Sequence, residues 1–155
     1  MILPRYRIDA SRIPGAGRGL FVEATVRAGA IVVAPDAIPR VYAFDEVLAQ
    51  PDPESALAAC VRWFEDRYTI TPDWPDECFI NHSFEPNGLW HLGFVFAARD
   101  LAPGDELTVD YRHLLAEGQD ESFRDADTGE AIVGWSWAES LSRSTRDLAR
   151  LQGLR

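Results

Sequence analysis

Short apolar runs broken by glycine mark the first 38 residues. Tyr6-Arg7-Ile8, residues 19–23 and residues 30–34 each read as a strand. A bend at Gly15, Gly17 and Gly19 and a turn at Ala28-Gly29 separate them, and Pro35 and Pro39 end the last. No helical period runs through this third of the chain, so it is β. The next stretch changes character. Asp45 caps a short helix through Gln50. Pro53 suits the first turn of a second helix, with Glu54 near its N-terminal dipole. Leu57, Val61, Phe64 and Tyr68 form one apolar stripe at helical spacing, which predicts a helix over about 53–67. Pro72 and Pro75 then open a loop.

Residues 76–116 return to short strands. Residues 93–98 form the plainest one, Pro103-Gly104 a turn, and residues 107–111 alternate as Leu, Thr, Val, Asp, Tyr. Residues 117–130 carry six acids and one arginine, so they read as a solvated loop or extended tail. From Trp137 onward, Leu141, Leu148 and Leu151 predict a C-terminal helix with Arg143, Arg146 and Arg150 toward its end. The expected fold is β-rich α+β. One domain spans 1–116, with a helical insert at about 45–70, and residues 117–155 add an acidic flap and a helix. Strands and helices do not alternate, which excludes the doubly wound cofactor folds.

Composition narrows the function. The 155-residue chain has a formal net charge of -10, and all 15 of its basic residues are arginine. Acidity of this kind argues against nucleic acid as a direct partner and favours a basic one. Seventeen aromatic residues (five Trp, eight Phe, four Tyr) supply a core without disulfides or metals. Cys60 and Cys78 do not make a disulfide framework, and neither lies in a metal-ligand spacing. The start has no apolar leader, and no stretch approaches the ~20 apolar residues of a membrane span. These features lead us to expect a cytoplasmic protein with reduced thiols and no membrane partner. Arginine-only usage fits a bacterial chain of GC-rich coding.

Three segments carry candidate chemistry. Gly15-Ala16-Gly17-Arg18-Gly19-Leu20-Phe21 offers a tight bend with exposed main chain. It fails the dinucleotide fingerprint, because its third glycine comes early and no helix follows. Asn81-His82-Ser83-Phe84-Glu85-Pro86-Asn87 sets polar side chains between apolar neighbours. These side chains suit a tight turn or the gripping of a polar heterocycle such as adenine. Glu106-Leu107-Thr108-Val109-Asp110-Tyr111 ends a hairpin in a tyrosine.

In this order the three segments resemble the SET-domain protein lysine methyltransferases. The first is similar to that family's GxGxGxF segment, the second to its NHSCxPN motif and the third to its ELTxDY motif. Phe84 stands where cysteine is commonest. The stretch from Phe123 to Ile132 keeps the Phe, Gly and Ile of the zinc-binding extension found in many relatives, without its cysteines. The resemblance implies a SET-domain (β-clip-like) fold of several small sheets and a cysteine-free, metal-free flap. It implies S-adenosylmethionine as cofactor, held by Ala16, Gly17, Arg18, Asn81, His82, Tyr111 and Phe123. It makes Tyr111 the catalytic residue and places Trp90, Val109 and Trp135 along a substrate channel. The implied reaction is methyl transfer to the side-chain amine of lysine in a basic protein. The alternatives are a non-catalytic module that binds a peptide or S-adenosylmethionine, and a methyltransferase for a small amine. A lysine-free chain offers such an enzyme no side-chain lysine of its own to modify.

Overall fold

The structure, a computed structural model, describes residues 1–35 and 40–154. Pro39, the second of the expected stops, lies outside them. Strands β1 (Tyr6–Ala10) and β2 (Arg18–Val22) pair antiparallel across the glycine bend, Tyr6 opposite Val22 and Ala10 opposite Arg18. Strand β3 (Ile31–Val33) follows. Residues 20–22 are all buried. A strand covered on both faces reads as a continuous apolar run, which is how Leu20-Phe21-Val22 reads.

The helical insert is where the expectation fails. Helix α1 (Phe44–Leu48) lies where a short helix was expected. Helix α2 (Pro53–Ala58) is capped by Asp52, whose side chain accepts from the Ser55 N–H at 3.2 Å, and it stops at Ala58. The rest of the expected helix is a hairpin of β4 (Cys60–Phe64) and β5 (Arg67–Ile70). Val61, Phe64 and Tyr68 therefore lie on strands and not on one helical stripe. Glu65 turns the hairpin at a φ of 46°. Arg62 explains the choice. It is 2% exposed, and its guanidinium donates to the main-chain oxygens of His113 and Trp135. Those partners are distant in sequence, so long-range pairing overrides the local helical pattern.

A short 3-10 turn (Asp76–Phe79) leads into β6 (Asn81–His82). Strands β7 (Gly88–His91) and β8 (Phe94–Ala97) complete a three-stranded sheet in the order β3-β8-β7. Strand β9 (Thr108–Val109) pairs with β6 in parallel, Asn81 beside Thr108 and His82 beside Val109. It is shorter than the alternation over 107–111 predicts, because Tyr111 already opens a 3-10 turn (Tyr111–His113). The acidic stretch is more ordered than a solvated loop. Strand β10 (Asp120–Arg124) lies within it and pairs with β11 (Ala131–Val133) just beyond it.

Helix α3 (Trp137–Leu151) closes the chain. Its capping residue Ser136 accepts from the Glu139 N–H at 3.2 Å. The helix docks through serines as well as leucines. Ser140 lies 2.8 Å from His113 Nδ1, and Ser144 lies 2.9 Å from His91 Nδ1. The main core gathers Leu20, Val22, Val32, Val95, Leu101, Leu107 and Val109, and a second cluster forms around Val47, Ala56 and Tyr68. No helix among the described residues is long and apolar enough to cross a membrane.

Candidate active site

The parallel pairing of β6 with β9 is what builds the site. It sets Asn81-His82 beside Thr108-Val109, segments far apart in sequence. Asn87 locks the arrangement. Its amide donates to the Glu106 main-chain oxygen at 2.8 Å, and its oxygen accepts from the Thr108 N–H at 2.9 Å.

Glu106 is the hub beneath. Its carboxylate is buried and accepts from Ser11 Oγ at 2.6 Å, the Arg12 N–H at 2.7 Å and Asn81 Nδ2 at 3.0 Å. Asn81 also donates to the Arg18 main-chain oxygen at 2.8 Å. Glycine is required at position 19, because a Cβ there would fall inside contact distance of the Glu106 carboxylate. One acid thus ties the glycine bend to the Asn-His segment. Asn81 therefore spends its amide N–H groups on the protein, which leaves its oxygen and the neighbouring main chain for a ligand. In the bend itself, Gly15 and Gly17 have φ values of 81° and 73°. Nothing lies within 4 Å of a Cβ added at either. The space beside both glycines is thus open, while the Ala16 N–H donates to the Ile13 oxygen at 3.2 Å and the Gly17 oxygen accepts from the Ser11 N–H at 3.0 Å. Arg18 leans over the Phe79 ring, 4.6 Å from its centroid.

Tyr111 stands where these pieces meet. Its hydroxyl donates to the Ile80 main-chain oxygen at 2.8 Å, and its N–H donates to His82 Nδ1 at 3.1 Å. The His82 ring lies 5.4 Å from the Tyr111 ring, and Phe123, from the flap, meets it edge-on at 6.3 Å. Burial pushes the Tyr111 hydroxyl far up, and Glu121 and Cys78 nearby add to the effect. The group is therefore a neutral phenol at any ordinary pH. Glu121 is half-buried on the flap, and burial raises its carboxyl as well. Val109 is buried beside His82.

The flap returns through Asp125. Its Oδ1 accepts from the Thr128 N–H at 2.7 Å and from Thr128 Oγ1 at 2.8 Å. Its Oδ2 lies 3.6 Å from His82 Nε2, and both side chains are 3% exposed. A cleft of about 260 Å³ opens between the bend and the flap, walled by Arg12, His82, Glu85, Arg99, Asp105 and Asp127 among others.

Trp90 and Trp135 lie elsewhere. Both line a second cleft of about 220 Å³, with Phe84, Arg112 and Asp147. Trp90 packs against Trp63 at 6.2 Å. Trp135 is gripped between Arg112 and Arg143, whose guanidinium carbons lie 4.3 and 4.5 Å from its ring. The structure thus brings Tyr111, His82, Asn81, Val109, Phe123 and the bend together, and sets the two tryptophans against helix α3. Sequence reasoning missed Ser11, the hub role of Glu106, and Asp125. The one signal for Glu106 was its place at the head of the Glu106–Tyr111 segment.

A family model described as the SET domain matches residues 17–112, which hold both the end of the bend and the Asn-His and Glu-Tyr segments. The chain belongs to the SET domain family. Solved structures agree on the SET fold. A chain of an active polycomb repressive complex 2 in the stimulated state is similar at a TM-score of 0.54 and 16% identity. The match covers 70% of this protein and 15% of that chain. A chain of the same complex in the basal state gives 0.55 and 19%, with the same coverage. At these identities the likeness is one of fold, and the protein spans 15% of the length of those chains. No curated protein matches. No cluster of three or more His, Cys, Asp or Glu side chains suited to a metal ion occurs among the described residues.

Proposed function

We propose that this SET domain is a protein lysine methyltransferase that uses S-adenosylmethionine. The observation that carries the reading is the placement of Tyr111. Its only hydroxyl proton is committed to the Ile80 oxygen, so its lone pairs are left for an incoming amine.

The cleft that His82 lines suits the charges of the cofactor. S-adenosylmethionine carries a sulfonium, an ammonium and a carboxylate, and both signs of partner line the cleft: Glu85, Asp105 and Asp127 against Arg12 and Arg99. The remaining main-chain groups around Ala16, Gly17 and Arg18 would hold the methionine portion in the open space beside the glycines. Asn81 Oδ1 and the His82 main chain would hold the polar edges, and Phe123 would cover them. When bound, the cofactor supplies an electrophilic methyl group on sulfur.

The chain's own groups do the rest. Tyr111 accepts an N–H from the amine and fixes its direction, and the aromatic faces of Phe123 and His82 keep water from it. Holding both reactants in line contributes on the order of 7–11 kcal/mol to such a transfer. A free lysine amine has a pKa of ~10.4 and arrives protonated. A dry site beside a bound cation favours its neutral form. No side chain need act as a covalent intermediate. The acidic flap, with Glu117, Asp120, Asp127 and Glu130 exposed, gives the site a negative rim. That rim supports a basic, lysine-bearing protein as substrate.

Titration with S-adenosylmethionine in a calorimeter, followed by methyl label transfer to a panel of basic proteins, tests the proposal. Binding and label on lysine are expected. Absence of both overturns it, and binding without transfer on any acceptor favours a non-catalytic module.

A further inference from the structure

The flap and the tyrosine are joined through one imidazole. His82 Nδ1 accepts the main-chain N–H of Tyr111 at 3.1 Å. An acceptor nitrogen carries a lone pair and no proton. A neutral imidazole has a single N–H, so that proton sits on Nε2. His82 Nε2 is buried and has no hydrogen-bond partner. It faces Asp125 Oδ2 at 3.6 Å, just beyond hydrogen-bond reach. Asp125 is not free to turn away, because Thr128 holds its other oxygen through two hydrogen bonds. A doubly protonated His82 would set an N–H against the N–H of Tyr111. The ring has to stay neutral, so the carboxylate cannot act here as the partner of a cation.

We infer that Asp125 is a positioning residue: its carboxylate keeps the His82 proton on Nε2, which leaves Nδ1 to hold the main chain of Tyr111. The logic is that of an acid that orients a histidine without taking its proton. Burial lowers the proton affinity of His82, in keeping with a neutral ring. Asp110 and Arg112, the other charged groups near His82, are paired with each other at 2.9 and 3.0 Å through Arg112 Nε. Asp125 belongs to the flap, whereas His82 and Tyr111 belong to the body. The contact therefore joins the flap to the imidazole that holds the Tyr111 main chain. A shift of a few tenths of an ångström, of the kind that ligand binding produces in loose sites, would turn the 3.6 Å contact into a hydrogen bond.

The catalytic meaning of the inference rests on the proposed methyltransferase reading, but its structural core does not. Nitrogen NMR of the histidine rings in the full chain reads the tautomer directly. His82 is expected to be protonated on Nε2 and unprotonated on Nδ1. In Asp125→Asn an amide N–H can replace Oδ2, so the proton should move to Nδ1 in a substantial fraction of molecules. Turnover should fall roughly tenfold or more, with a smaller change in KM for S-adenosylmethionine. Thr128→Val, which loosens the same turn and leaves the carboxylate in place, should keep the tautomer. A wild-type His82 protonated on Nδ1, or an Asp125→Asn variant with the wild-type tautomer, overturns the inference. An inactive wild type with the expected tautomer would instead count against the methyltransferase reading alone.

Discussion

The Tyr111 hydroxyl donates to the main-chain oxygen of Ile80 at 2.8 Å, one residue before the Asn81-His82 strand. The bond commits the hydroxyl proton, leaves the phenol oxygen as an acceptor and ties it to the segment that would hold the cofactor. Tyr111→Phe removes both the bond and the acceptor. A stability loss of about 1–2 kcal/mol is expected, because the buried Ile80 oxygen loses its partner. Calorimetric binding of S-adenosylmethionine should persist while methyl transfer falls by about a hundredfold. Undiminished turnover would remove the hydroxyl from the reaction.

Glu106 accepts from three donors at once, and two of them bond to different carboxylate oxygens. Glu106→Gln must set an amide N–H against either the Arg12 N–H or the Ser11–Asn81 pair. The expected cost is about 1–3 kcal/mol of stability, together with weaker cofactor binding, since the glycine bend loses its tie. Thermal melts and calorimetry read the two effects. A variant as stable as wild type would show that the hub is dispensable.

Acid should weaken the fold through its histidines. Burial lowers the pKa of His113 to about 4, with smaller effects from charged neighbours. Burial lowers His91 and His82 too. In the unfolded chain each binds a proton near pH 6.5. The unfolded state thus holds more protons between about pH 6.5 and 4, and stability falls as pH falls through that window. His113 alone accounts for about 3 kcal/mol of the loss. Melting temperature measured from pH 8 to 4 should drop, and His113→Gln should drop less steeply. A flat profile would contradict the burial of these rings.

Charge should govern encounter with the substrate. If the acidic rim steers basic proteins, KM for a basic protein should rise as ionic strength passes ~0.1 M, where the screening length is ~10 Å. A short lysine peptide of low charge should respond less. Equal salt response from both would leave the rim without a role in substrate choice.

The motif residues were legible because their segments resemble a known family's, even though their partners are distant. Gly19 has to be glycine because of Glu106, Asn87 bridges the Glu106 oxygen and the Thr108 N–H, and Tyr111 opens the 3-10 turn after β9. Most of what stayed hidden lies outside those segments and depends on distant partners as well. Val61, Phe64 and Tyr68 fit a helical period by spacing, but Arg62 between them, on its strand, donates to the main-chain oxygens of His113 and Trp135. The flap reads as polar chain because, besides the buried Ile132, its side-chain anchor is an acid. Asp125 gains its meaning only when His82 is across from it. Trp90 and Trp135 were placed in the channel by resemblance, and the structure sets them in the second cleft with Phe84 and Arg112. The docking of α3 by Ser140 and Ser144 on two histidines has no apolar signature at all.

One measurement bears on the central claim most directly. Wild-type protein and Tyr111→Phe are incubated with labelled S-adenosylmethionine and a panel of lysine-rich proteins, and the acceptor residues are identified by mass spectrometry. Methyl groups are expected on lysine side chains of at least one acceptor with the wild type, and little or none with the variant. Methylation that is equal in the two, or its absence from every acceptor despite bound cofactor, would contradict that claim.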